Sequence, residues 1–187
     1  MEKRPEINRD KVLRIIITGP ESTGKTLITE YLSDYFHTVY VPEYAREFVE
    51  NLQRRYSYDD VIHIAKKQVE LERELLEKAS GILFYDTFLI ITRTWLQLVF
   101  KQVPVWIDDL IRQGEWDLFL LCNYDIPWVS DPVRENPGAM RIKLFEMYRN
   151  QIGQLGIPYT VISGSGDVRY ANALAAVQEF LATSRED

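Results

Sequence analysis

The sequence predicts an α/β fold: a five-stranded parallel sheet with helices on both faces, in a single domain spanning residues 1–187. Three observations carry this. Short apolar runs alternate with longer segments of helical period, as happens when parallel strands are joined by crossover helices. The 187 residues suffice for one core and leave no room for two full enzymatic domains. The octapeptide GPESTGKT at 19–26 stands directly between an apolar run and a helical one, where a glycine-rich strand-to-helix turn belongs.

The first strand is expected at 12–18, where RIIIT gives the continuous β-branched run of a strand buried on both faces. A helix begins at Thr26, and the second strand is expected at 38–41. Ser57 followed by Asp60 forms a capping pair, behind which Val61, Ile64, Ala65, Leu71, Leu75 and Leu76 recur at helical spacing. Lys66, Lys67, Glu70, Glu72 and Arg73 then make a solvated face. The third strand is expected at 82–85, a helix at 88–99 and the fourth strand at 118–122. After the Asn136-Pro137-Gly138 break come a helix at 139–152, the fifth strand at 159–162 and a last helix at 168–181. No repeat, low-complexity stretch or linker interrupts this order, and residues 1–10 and 183–187 read as loose ends.

Composition narrows the function classes. A net charge of -6 argues against nucleic-acid partners, because non-specific binding rests on many Lys and Arg contacts. The lone Cys122 excludes an intrachain disulfide and a multi-thiolate zinc site, and His37 and His63 are too far apart for a local ligand pair. A cytoplasmic setting is expected. The apolar run after the charged start is interrupted by Arg14 and too short for a signal-peptide core. No stretch approaches the roughly 20 apolar residues of a membrane helix, so no membrane partner is expected.

GPESTGKT satisfies G-x-x-x-x-G-K-[ST] in full, the signature of a P-loop nucleoside triphosphatase fold. Glycine lets backbone N–H groups turn inward on phosphates, and the helix that starts there adds donors and a favourable dipole. ATP with Mg2+ is the expected ligand, cradled by Gly19, Glu21, Ser22, Thr23, Gly24, Lys25, Thr26 and Leu27. Lys25 would reach the β- and γ-phosphates and Thr26 would ligate the metal. GTP is disfavoured, since Asn123-Tyr124-Asp125 lacks the lysine and spacing of a guanine-reading element.

Ligands of open parallel sheets collect beyond the carboxyl ends of the strands, and polar residues follow each strand here. Asp86 ends ILFY where a magnesium-side acid belongs, or caps the following helix. Glu43 lies within reach of an acceptor facing the γ-phosphate, Tyr44 could stack on a flat ring, and Arg46 could hold a phosphate or sugar hydroxyls. The plainer reading of these three is an exposed helix start with local ion pairs. The segment 128–141 reads as a short lid, with Arg134 and Arg141 bringing charge to the phosphates, or as a surface loop whose arginines meet neighbouring carboxylates. Trp128 suits either a substrate wall or the core. The chain's size fits a small-molecule kinase better than a motor or clamp ATPase.

Together, GPESTGKT, VPEYAREF at 41–48, FYDT at 84–87 with Trp95, LLCNYDIPWVSDPVRENP at 120–137 and GIPYTVISGSGD at 156–167 resemble the ribosylnicotinamide kinase domain of the NAD-biosynthesis regulator NadR and its stand-alone relatives. The resemblance runs from about residue 12 to residue 180. It implies a sheet of nucleoside-monophosphate-kinase type and transfer of the γ-phosphoryl group of ATP to the ribose 5-hydroxyl of nicotinamide riboside. It also implies acceptor roles for Glu43, Tyr44 and Arg46, a metal-side role for Asp86 and a flap role for Arg134. Two positions depart from the pattern. Pro42 stands where an aromatic residue packs on the nicotinamide ring, and Phe88 where a second acid follows Asp-Thr, so another flat nucleoside stays open as acceptor. An ATP-binding regulatory module with slow hydrolysis is the alternative of another class. Neither DNA binding nor adenylyl transfer is expected of this chain.

Overall fold

The computed structural model describes residues 11–184. The first expected loose end lies outside these residues, as do 185–187 of the second, while the final helix continues to Thr183.

Five strands form one parallel sheet: β1 (Leu13–Thr18), β2 (Tyr40–Val41), β3 (Ile82–Asp86), β4 (Leu118–Cys122) and β5 (Tyr159–Ile162), in the order β2-β3-β1-β4-β5. The helices are α1 (Lys25–Phe36), α2 (Tyr44–Glu50), α3 (Tyr58–Leu76), α4 (Leu89–Trp95), α5 (Val105–Gln113), α6 (Ala139–Leu155) and α7 (Asp167–Thr183). Leu96–Phe100 extends α4 as a π-helical turn.

Period-two alternation divides the core. Ile16, Leu83, Tyr85, Phe119 and Leu121 face the layer that contains Val61, Ala65, Ile107, Leu144 and Ile152 from α3, α5 and α6. Ile15, Ile17, Phe84, Leu118 and Leu120 face Ile28 and Leu32 of α1 with Ala173 and Val177 of α7. Because β1, β3 and β4 are covered on both faces, apolar residues stand at consecutive positions within them, at 15–17, 82–85 and 118–122, instead of alternating. The chain winds outward from β1 toward β3 and β2 on one side and toward β4 and β5 on the other. The strand order therefore reverses at β1, and a crevice opens at its carboxyl end, where the P-loop begins.

The capping pair forms as a reciprocal box: Asp60 N donates to Ser57 Oγ at 3.3 Å, and Ser57 N donates to Asp60 Oδ2 at 2.7 Å. Arg54 donates to both Asp60 oxygens, at 2.6 and 2.9 Å, and this with the Ser57 bonds holds the carboxyl well below its ordinary range.

Four expectations need correction. The second strand starts at Tyr40, because Thr38 is taken up by the helix stop before it: Thr38 N donates to Ser33 O at 3.0 Å and its hydroxyl donates to Ile82 O at 2.6 Å. The helix expected at 88–99 ends its α-helical part at Trp95. α5 was not expected, although Ile107 and Ile111 at i,i+4 behind Pro104 mark a short amphipathic helix. Glu72, read as solvated, is 9% exposed and accepts from Tyr85 Oη at 3.0 Å and from Arg14 Nη1 at 3.3 Å. Among the described residues no helix is long and apolar enough to cross a membrane.

Candidate nucleotide and acceptor site

The P-loop leaves β1 through Gly19 at φ 142. A Cβ there would stand 2.6 Å from the Cys122 carbonyl oxygen, so the close approach to β4 requires glycine. Ser22 at φ 58 and Gly24 at φ 76 turn the chain into α1, whose N-terminus carries no side-chain cap. Uncapped first-turn N–H groups and the helix dipole suit an anion.

The loop carbonyls are fastened from outside. Pro20 O accepts from Thr23 Oγ1 at 2.8 Å and from Lys25 Nζ at 2.9 Å. Arg141 of α6 donates to Glu21 O at 3.1 Å and to Ser22 O at 2.6 Å, and Arg169 of α7 donates to Thr23 O at 3.1 Å. Both arginines are buried, and Arg169 is further satisfied by Asp125 and by the Asn123 and Gly164 carbonyls. Three successive carbonyls, of Glu21, Ser22 and Thr23, are thus held by arginines of α6 and α7, and that of Pro20 by the loop's own Thr23 and Lys25.

Asp86, 2% exposed, ends β3 beside the start of α1. Thr26 Oγ1 donates to its Oδ2 at 2.6 Å, while its Oδ1 and the buried Thr18 hydroxyl have no hydrogen-bond partner. Burial pushes the carboxyl above its ordinary range, against the Thr26 hydrogen bond and the Lys25 charge. A hydroxyl and a carboxylate with two unused oxygens nearby form a hard-oxygen set that fits Mg2+ completed by phosphate oxygens and water. No cluster of three or more His, Cys, Asp or Glu suited to a metal occurs among the described residues, so protein ligands alone would not complete the shell.

A cavity of about 850 Å3 runs from the P-loop to an apolar end walled by Ile64, Phe88, Ile91, Trp95, Leu98 and Leu144. Glu43, half-buried and reachable from the cavity, sits where β2 passes into α2. Burial lifts its carboxyl to about 7; Lys25 and Arg46 oppose the shift, and the Asp86 and Glu21 carboxylates reinforce it. Thr87, a β-branched residue at φ 63, follows Asp86 and also lines the cavity.

The segment 128–138 closes over the cavity. Glu21 accepts from Glu135 N at 3.0 Å, Asn136 N at 3.0 Å and Asn136 Nδ2 at 2.9 Å, and Ser22 Oγ accepts from Val129 N at 2.9 Å. On the acceptor side Tyr56 Oη donates to Glu135 at 2.8 Å. Asp131 is shared by Arg46 Nη2 at 2.9 Å and Arg134 Nε at 3.0 Å. Although burial works against it, the Arg46 hydrogen bond and the Arg134 charge hold Asp131 below its ordinary range.

The structure brings Gly19, Glu21, Ser22, Thr23, Gly24, Lys25, Thr26, Leu27, Glu43, Arg46 and Arg134 to one cavity, with Asp86 joined to it through Thr26. Tyr44 and Trp128 lie outside. α2 begins at Tyr44, so Glu43 and Arg46 share a face while the Tyr44 ring turns to Phe48 at 5.9 Å and His63 at 6.2 Å. Trp128 lies 5.8 Å from the Arg141 guanidinium, which is spent on loop carbonyls instead of reaching phosphates as a lid charge. Sequence reasoning missed Arg169, Asp131 and Gln68. The partners that tie them to the site lie far off in the chain, 146 residues for Arg169 and Thr23 and 85 for Asp131 and Arg46, and no local motif marks them.

A family model described as an AAA domain matches residues 14–169. The trifunctional NAD biosynthesis/regulator protein NadR of Salmonella typhimurium is 25% identical over 139 residues, covering 72% of this chain and 34% of that protein. The NadR of Escherichia coli is 23% identical over 180 residues, 93% of this chain and 44% of that protein. The chain thus spans well under two thirds of the curated relatives it matches. Among solved structures, NadR in complex with NR superposes with a TM-score of 0.77 at 24% identity, over 91% of this chain and 51% of that one. NadR in complex with NAD and AMP-PNP gives 0.75 at 24% identity, over 91% and 50%. Thymidylate kinase from Ehrlichia chaffeensis gives 0.57 at 16% identity, over 90% and 98%. The fold is that of a P-loop domain of nucleoside-monophosphate-kinase type, and the resemblance to NadR read from the five sequence blocks holds.

Proposed function

The chain belongs to the AAA domain family, and from that premise we propose that it is an ATP-dependent kinase that phosphorylates the ribose 5-hydroxyl of a nucleoside, nicotinamide riboside first among candidates. One observation carries this reading: Glu43, a carboxylate lifted to about 7, shares a cavity with the P-loop lysine and an apolar end suited to a flat base. The NadR structures with NR and with AMP-PNP support both ligands.

Loop N–H groups and Lys25 hold the triphosphate tail, and Thr26 with Asp86 would hold Mg2+. Bound ATP-Mg2+ supplies the phosphoryl group and neutralises charge on it. As the acceptor oxygen bonds to the γ-phosphorus, the bond to the β,γ-bridging oxygen breaks, ADP leaves and Glu43 takes the hydroxyl proton. Arg46 and Arg134 line the same cavity and would meet the charge that develops there, while the segment 128–138 would keep water out.

The test is coupled ADP release from the purified chain with nicotinamide riboside and a nucleoside panel. Acceptor-dependent release is expected, with greatest turnover on a planar-base nucleoside. Equal release with and without every acceptor would instead favour a nucleotide-binding regulatory module, the reading to which Pro42 and the cavity-lining Phe88 lend support.

A further inference from the structure

We infer that Gln68 is the positioning residue for Glu43. Gln68 lies on α3, 4% exposed, and its amide straddles the residue before and the residue after Glu43. Nε2 donates to Pro42 O at 3.0 Å, and Oε1 accepts from Tyr44 N at 3.3 Å.

The backbone there has little other support. β2 is two residues long, so the ladder ends before Pro42, and proline has no N–H to extend it. α2 is seven residues long, buries no residue and has Glu43 itself as an N-cap without a side-chain cap. α3, by contrast, is a rigid base. Its nineteen residues begin at a reciprocal capping box, and Val61, Ile64 and Ala65 bury against the core. Gln68 carries that rigidity to the loop. A primary amide donates to a carbonyl from its nitrogen and accepts from an N–H at its oxygen, so one planar group serves the residues on both sides of Glu43.

Gln68 lines the same cavity, but both of its hydrogen bonds go to the backbone on either side of Glu43. Its effect is on how deeply the Glu43 carboxyl is buried, the main cause of its raised proton affinity, and on where it stands relative to the charges of Lys25 of α1, Asp86 of β3, Arg46 of α2 and Glu21 of the P-loop. A misplacement of about 1 Å in such a group can cost on the order of 100-fold in rate.

This inference rests on the kinase reading for its effect on rate, but its structural content is testable without it. In Gln68→Met, which keeps length and loses both hydrogen bonds, the Tyr44 amide should exchange with solvent roughly tenfold faster. The Glu43 13Cδ resonance should titrate closer to an ordinary glutamate as the released loop admits water. ATP affinity by calorimetry should change less than about twofold, acceptor kcat should fall about 30-fold or more, and the acid limb of the pH-rate profile should move down with the titration. Gln68→Glu, which can still accept from Tyr44 N, should retain more Tyr44 protection than the methionine variant and shift the Glu43 titration upward. Unchanged exchange and titration in Gln68→Met would overturn the inference whatever the enzyme does. Changed exchange and titration with no acceptor-dependent turnover in the wild type would leave the positioning role standing and sink the kinase reading.

Discussion

At the scale of single residues, Glu43 is the side chain whose ionisation matters most. Burial raises its carboxyl from 4.5 to about 7, so the folded chain holds a proton that the unfolded chain releases. The sign is that of a raised acid: the group favours the folded state least above pH 7, and the penalty fades as pH falls toward 4.5. Replacing it with glutamine removes that penalty. Glu43→Gln should lose acceptor-dependent turnover by about 100-fold or more while unfolding at a higher temperature at pH 8. After allowance for its partial access to water, the gain is on the order of 1–2 kcal/mol. Denaturant melts at pH 5 and pH 8 provide the check, with the stability difference between variant and wild type shrinking at the lower pH. In the wild type, turnover should rise with pH through about 7.

The elements divide into those written in local spacing and those that tertiary contacts decide. β1, β3, β4 and β5 follow from apolar runs, and the α3 boundary from Ser57 and Asp60. Ser57→Ala should cost about 1 kcal/mol in chemical denaturation with little change in nucleotide affinity, since neither Ser57 nor Asp60 lines the cavity. The P-loop motif was equally plain, but what fastens it was not. Arg141 and Arg169 meet its carbonyls from two helices more than 100 residues away, and a buried guanidinium is specified by partners that only folding assembles. Arg169→Lys keeps the charge and loses the fork, so ATP affinity should weaken roughly tenfold by calorimetry at constant acceptor affinity. The position of Tyr44 outside the cavity was not legible for a related reason: whether it or its neighbours face the cavity depends on the residue at which α2 begins, and a shift of one residue turns a side chain by about 100°.

For the molecule as a whole, the alternation of strands and helices made the layer architecture legible, whereas the strand order β2-β3-β1-β4-β5 was not, because pairing between parallel strands depends on contacts that no local pattern encodes. That order sets β1 between β3 and β4, so the P-loop after β1 and Asp86 at the end of β3 become neighbours although 60 residues separate Asp86 from Thr26. It also brings the segment 128–138 against the P-loop and the acceptor side at once. Glu21→Ala removes three accepted hydrogen bonds from residues 135 and 136, and limited proteolysis within 129–137 should then quicken several-fold without loss of global stability.

Arg46 stands on α2 beside Glu43 and Arg134 on the covering segment, and the single carboxylate of Asp131 ties them together. Were that segment to swing aside, Arg46 would give up Asp131 and keep only Glu50, 3.0 Å away on its own helix, leaving its Nη2 free for whatever anion leaves or enters. On the proposed kinase reading, departure of a phosphorylated product and movement of the segment would then be one event, and turnover would be timed by that movement instead of by bond breaking.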